Sequence, residues 1–218
     1  MKTIYVYVLD TLADWEIGYI TAEINSKRFF KRDAPLVQIK TVSYSKKAIS
    51  TMGGFKIAPD CLVEEIILNE DSILLLPGAD TWNEQKNSKI ISISRELLSV
   101  GGTVGAICGA TVAVANIGLL NDHSHTSNGI EFLEMFCPSY SGQNLYLNQS
   151  SVSDNKLITA GSTGSLLWSK QIIESLDVFE SDTLEAWYNY FSTGNSNFFF
   201  KLLQTLPSNQ ESELSGEQ

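Results

Sequence analysis

Apolar positions along the chain follow two rhythms that alternate in a regular order. Lys2–Val8 is apolar at nearly every position and predicts a first strand. A polar turn over 10–14 follows, with Asp14 as the expected N-cap of a helix from Trp15 to about Phe30. A second strand is predicted over 36–42. Met52-Gly53-Gly54-Phe55 reads as a hairpin turn between two short strands, and 61–67 as a short helix. Ser72–Leu76 (SILLL) has the unbroken apolar character of a strand covered on both faces, and it stops at Pro77-Gly78-Ala79. Residues 88–100 return to helical spacing and close on Gly101-Gly102.

The second half repeats the pattern. Thr103–Ile107 predicts a buried strand, followed by a helix to about Ile117, a polar loop over 121–129 and a helix over 130–136. Short extended pieces are expected within 144–152, then a strand over 156–160 and helices over 165–176, 183–191 and 197–206. Strands alternating with helices predict an α/β sandwich with a mainly parallel sheet in one domain spanning 1–206. The polar, acidic residues 207–218 predict a disordered tail.

Composition narrows the partners. The 218 residues carry a net charge of −10, which disfavours nucleic acid or an anionic membrane as partner, since both attract basic surfaces. No apolar run has transmembrane length, and the N-terminus reads as a strand rather than a signal peptide. Three cysteines, Cys61, Cys108 and Cys137, show no paired or zinc-type spacing, which predicts free thiols in a cytoplasmic protein without a metal or other cofactor. Only two histidines are present, His123 and His125.

Of the cysteines, Cys108 has the telling context. In TVGAICGATVAV a strand ends at Ile107, the chain turns at Cys108, and a helix opens at Gly109. Such a nucleophile elbow raises a side chain at the carboxyl end of a strand and aims helix N–H groups at it, which predicts a lowered thiol pKa. The competing reading is a small buried cysteine that only fills space. In parallel α/β folds, ligands gather beyond the carboxyl ends of strands. Cys108, Gly78 and the 10–16 segment all follow strand ends and are expected to share one cleft.

The segments AICGAT, LLLPGA, LDTLADWEIG and LITAGSTG, in this order, resemble the DJ-1/PfpI family of the class I glutamine amidotransferase-like superfamily. Its bacterial amidotransferase and intracellular protease/amidase branch is the most similar. The resemblance runs from Lys2 to about Phe191 and implies a three-layer, flavodoxin-like sandwich, commonly a homodimer, with Cys108 as the reactive cysteine. It implies Glu16 as the acidic partner of the sulfur, and Gly78 with Gly109 as oxyanion-hole residues. Read without the resemblance, Glu16 is a first-turn acid favoured by the helix dipole and Gly78 completes a Pro-Gly turn. The family's histidine has no counterpart: Gly109 follows the cysteine, and Asn128 stands where other members carry the imidazole. Asn128 and His125 are then possible substrate contacts, with both histidines otherwise expected on a solvated loop. The readings this leaves are a cysteine enzyme acting on a small carbonyl or amide substrate, glyoxalase-like or amidotransferase/amidase-like, and a non-catalytic redox or stress-response protein oxidised at Cys108.

Overall fold

The computed structural model describes residues 1–206, so the tail expected over 207–218 lies outside the described residues. Seven strands form the main sheet, β1 (Lys2–Tyr7), β2 (Val37–Ser43), β5 (Cys61–Leu62), β6 (Ser72–Leu76), β7 (Thr103–Ile107), β8 (Ser151–Asp154) and β9 (Leu157–Ala160). Their order is β5-β2-β1-β6-β7-β9-β8, parallel throughout except for β8. Without the edge strands β5 and β8, this is the flavodoxin-like 2-1-3-4-5 order. The strand order reverses between β1 and β6, so their carboxyl ends border the crevice where such folds bind ligands. Register pairs Val6 with Leu75 and Leu76 with Ala106, which brings the exits of β1, β6 and β7 together.

Helices cover both faces, as the buried strands require. α1 (Asp14–Ser26), α5 (Ser165–Leu176), α6 (Ser181–Thr193) and α7 (Ser196–Gln204) pack in sequence on one side. α2 (Ser88–Ser99), α3 (Gly109–Asn116) and α4 (Ile130–Phe136) form the other layer. Every residue of β6 and β7 is buried, consistent with their uninterrupted apolar runs. Gly105 lets the fully buried Trp168 lie directly on β7: a Cβ there would sit 2.7 Å from the indole. Among the described residues no helix is long and apolar enough to cross a membrane.

Several boundaries differ from expectation. Asp14 does not cap α1; Ala13 is the N-cap, and the Asp14 carboxylate accepts the Gly53 N–H at 2.6 Å. That bond fastens the hairpin of β3 (Ile49–Ser50) and β4 (Lys56–Ile57) to the start of α1. The helix ends at Ser26 because Lys27 turns left-handed at φ 57°, and Phe29 and Phe30 enter the core from the following turn. Residues 61–67 are not an α-helix: Cys61 and Leu62 add β5 to the edge of β2, and a short 3-10 turn follows. The open edge of β2 captured this segment, an influence that local spacing does not carry.

Candidate active site

β7 ends at Ile107 and α3 begins at Gly109, leaving Cys108 alone to make the turn with φ 57° and ψ −124°. For a non-glycine residue this backbone costs about 1–3 kcal/mol and persists only where its surroundings impose it. Here the Cys108 N–H donates to Ala160 O at 2.9 Å, tying the elbow to β9. Its carbonyl accepts from the Thr111 N–H at 3.0 Å and from Thr111 Oγ1 at 2.6 Å. With its proton directed at that carbonyl, Thr111 Oγ1 accepts from Ser127 Oγ at 2.6 Å, which links the elbow to the loop bearing Asn128.

Glu16, in the first turn of α1, is fully buried. Its Oε2 accepts the Gly78 N–H at 2.6 Å. Oε1 has no conventional hydrogen-bond partner, and the carboxyl interacts with the Cys108 thiol. Glycine at position 78 is what lets the three groups meet: a Cβ there would lie 2.8 Å from Cys108 Cβ, 2.8 Å from Glu16 Oε2 and 2.9 Å from Oε1. The loops after β1 and β6 are stitched together around this point. Ala13 N–H donates to Gly78 O at 2.9 Å, Asp80 N–H to Thr11 Oγ1 at 2.9 Å, and Thr81 Oγ1 to Asp10 O at 2.7 Å.

Asn128 is a further neighbour of the sulfur. Its Nδ2 donates to Cys108 Sγ at 3.3 Å, and its Oδ1 accepts the Ser162 N–H at 2.8 Å. The Gly109 N–H also reaches the sulfur. Burial pushes the Glu16 carboxyl above its ordinary range, against the opposing pull of the Gly78 N–H and the thiol. The Cys108 thiol is also pushed up, first by burial and then by the neighbouring Glu16 charge, while Asn128 and the Gly109 N–H pull it down. The lowered thiol pKa expected from the helix terminus alone is therefore reversed: the buried carboxyl and the loss of water outweigh the helix donors.

Two sequence expectations need correction in geometry. The Gly78 amide does not face an open oxyanion position, because Glu16 occupies it. Its neighbour Ala79 has a backbone N–H without a hydrogen-bond partner among the described residues, and this nitrogen lies 3.7 Å from where a Gly109 Cβ would stand. His125 is not on a solvated loop. It is fully buried, with Nδ1 donating to His123 O at 2.7 Å and Nε2 accepting from Tyr140 OH at 2.7 Å. Both ring nitrogens are committed, so His125 is a core residue rather than a substrate contact. His123 Nδ1 lies 2.9 Å from Leu119 O, and no imidazole contacts the sulfur among the described residues. Cys61 and Cys137 are buried and free. The sequence reading missed Ala79 and Ser162 as site residues, although both lie inside motifs it singled out.

The order of strand, elbow cysteine and buried first-helix glutamate is accompanied by a match of residues 2–175 to the model of the DJ-1/PfpI family. The chain belongs to the DJ-1/PfpI family. It is 40% identical over 205 residues to YoaZ of Bacillus subtilis (strain 168), named as an uncharacterized protease, covering 94% of this chain and 98% of that one. A second Bacillus subtilis relative, YdeA, also named as an uncharacterized protease, is 29% identical over 185 residues, covering 85% and 88%. Among solved structures, a thiJ/pfpI family protein from Bacillus anthracis is 40% identical with a TM-score of 0.91, over 94% of this chain and 98% of that chain. The DJ-1 superfamily protein Atu0886 from Agrobacterium tumefaciens is 25% identical with a TM-score of 0.77, over 89% and 99%.

Proposed function

We propose that this DJ-1/PfpI protein is a cysteine-dependent enzyme in which Cys108 adds to the carbonyl of a small substrate and Glu16 handles the proton. The observation carrying this reading is the fully buried Glu16 carboxyl interacting with the thiol, its Oε2 held by the Gly78 N–H and its Oε1 without a conventional partner. A carboxyl whose pKa is raised by burial is a better base, and a thiol whose pKa is raised needs one. As the sulfur bonds to the carbonyl carbon, the thiol proton passes to Glu16 Oε1 and the carbonyl π pair moves to oxygen. The Gly109 and Ala79 amides are the donors for that oxyanion. Return of the proton from Glu16 to the oxygen completes a hemithioacetal.

Peptide or amide hydrolysis, suggested by the relatives' names, also requires a proton for the departing amine. Asn128 cannot supply it, and Glu16 is the group left to do so. A 2-oxoaldehyde, which loses no amine, makes the smaller demand. The test is consumption of a 2-oxoaldehyde with formation of the 2-hydroxy acid, followed in wild type, Cys108→Ser and Glu16→Gln. Turnover that depends on both residues supports the reading; turnover that survives Cys108→Ser overturns it.

Asn128 favours a second reading, as a redox or stress-response protein. A fixed amide donor beside the sulfur, in place of an imidazole, suits an oxidised, anionic sulfur. The thiolate would take an oxygen from hydrogen peroxide, the O–O bond breaking to release water and leave a sulfenate anion. Mass spectrometry after peroxide treatment, with Asn128→Ala as the comparison, separates this reading from the first. A cytoplasmic homodimer completes the proposal. Light scattering at about twice 24.1 kDa would support the dimer, and a monomer mass at micromolar concentration would overturn it.

A further inference from the structure

An apolar cleft of about 550 Å³ adjoins the elbow on its Gly109 side, between α2, α3 and α4. Its walls are Trp82, Ile91, Val112, Phe132 and Phe136, with the Phe132 and Phe136 rings 5.1 Å apart at the outer rim. Ala79 and Gly109, the two residues whose amides are assigned above to the substrate oxygen, also line it. Gly109 follows Cys108 directly in the chain, so the cleft adjoins the elbow, although Cys108 itself does not line it. Asp80 is the only ionisable side chain on the wall, and no cation lines the cleft among the described residues. The volume lies within the ordinary range for small-molecule pockets, which are likewise mostly apolar with few polar groups.

We propose that this cleft is a substrate subsite for an uncharged apolar group, of phenyl or branched-alkyl size, carried by a compound whose reacting carbon sits at Cys108. The proposal rests on the reading of Cys108 as the nucleophile and names the class of substrate that site accepts. Charge sets the exclusion: an anionic substituent would approach Asp80 with no Lys or Arg on the wall to offset it. Phe136 is 55% exposed, so an apolar group bound in the cleft would cover ring surface that Phe132 leaves open.

The test is the rate of Cys108 alkylation by iodoacetamide, N-benzyl iodoacetamide and its 4-carboxybenzyl analogue, each divided by the rate with free cysteine. The expected result is a benzyl-to-parent ratio about tenfold higher on the protein than on free cysteine. The carboxybenzyl probe should lose most of that advantage. Ser92→Trp, at an exposed position on the cleft wall, should return the benzyl ratio to the free-cysteine value. Phe136→Ala should lower it without filling the cleft, guarding against a misfolded tryptophan variant. Labelling of Cys108 by iodoacetamide with no benzyl preference overturns the subsite and leaves the reactive thiol standing. No labelling of Cys108 by any probe overturns both. A preference that disappears as protomers associate in light scattering assigns this face to a second copy of the chain, and likewise overturns the subsite.

Discussion

Asn128 donates through Nδ2 to the Cys108 sulfur at 3.3 Å. The orientation is enforced, because the Ser162 N–H can only donate and therefore holds Oδ1 on the opposite side. Beside the thiol the chain has a fixed donor that cannot accept its proton. Glu16 is the remaining proton acceptor within reach of the sulfur.

Asn128→Ala should raise the apparent pKa of Cys108 alkylation by removing one of the groups that pull it down. A net loss of about 1 kcal/mol, as for a typical hydrogen bond, corresponds to a roughly fivefold slower reaction near neutral pH. Asn128→Asp should shift the profile further the same way, by adding a charge. The pH–rate profile of iodoacetamide labelling reads both; unchanged profiles would remove Asn128 from the site.

Glu16→Gln should shift the thiol pKa down, since the Glu16 charge is one of the causes that raise it. The variant should also change the stability profile. A carboxyl with a raised folded-state pKa contributes stability that is complete below its unfolded value, ~4.3, and lost as pH rises through the folded value. Urea midpoints from pH 4 to 8 should therefore fall in wild type relative to Glu16→Gln. Parallel midpoints across that range would show that the fold does not raise the Glu16 pKa.

Gly78→Ala should disable the site with limited damage elsewhere. The added Cβ would meet Cys108 Cβ at 2.8 Å and both Glu16 oxygens within 2.9 Å, so the Glu16 carboxyl would have to swing out of its place and the Cys108 Cβ, held by the elbow, could not yield. Overpacking of this kind costs about 1–3 kcal/mol. Thermal melting should show that loss, and Cys108 alkylation should lose its Glu16-dependent pH profile. A variant with wild-type stability and profile would mean that the loop after β6 moves freely.

Acidification should weaken the loop that carries Asn128. Burial holds the His125 imidazole below its ordinary value of ~6.5. Below that pH the unfolded chain binds the extra proton first, so stability falls as pH drops from ~6.5 towards the folded value. Protonation also removes the Nε2 lone pair that accepts the Tyr140 hydroxyl. Between pH 7 and 5, wild type should lose more stability than His125→Asn, whatever the absolute cost of the substitution. Equal losses in urea unfolding would count against the assignment.

The sequence by itself determined the layered α/β plan, the elbow at Cys108, and the arrival of the 10–16 segment, Gly78 and Cys108 at the carboxyl ends of neighbouring strands. It could do so because those features are written in local signals: unbroken apolar runs for buried strands, 3.6-residue spacing for helices, and small residues at a sharp turn. Only the tertiary structure decided how Gly78, His125 and the thiol behave. The Gly78 amide was given to Glu16 by a contact between residues 62 positions apart, and His125 was buried by Tyr140 folding back over it. The direction of the Cys108 pKa depended on how far water is excluded and on which carboxyl lies beside the sulfur. Neither is a property of neighbouring residues, since desolvation and Coulomb interaction act through space, between groups that only the finished fold brings together.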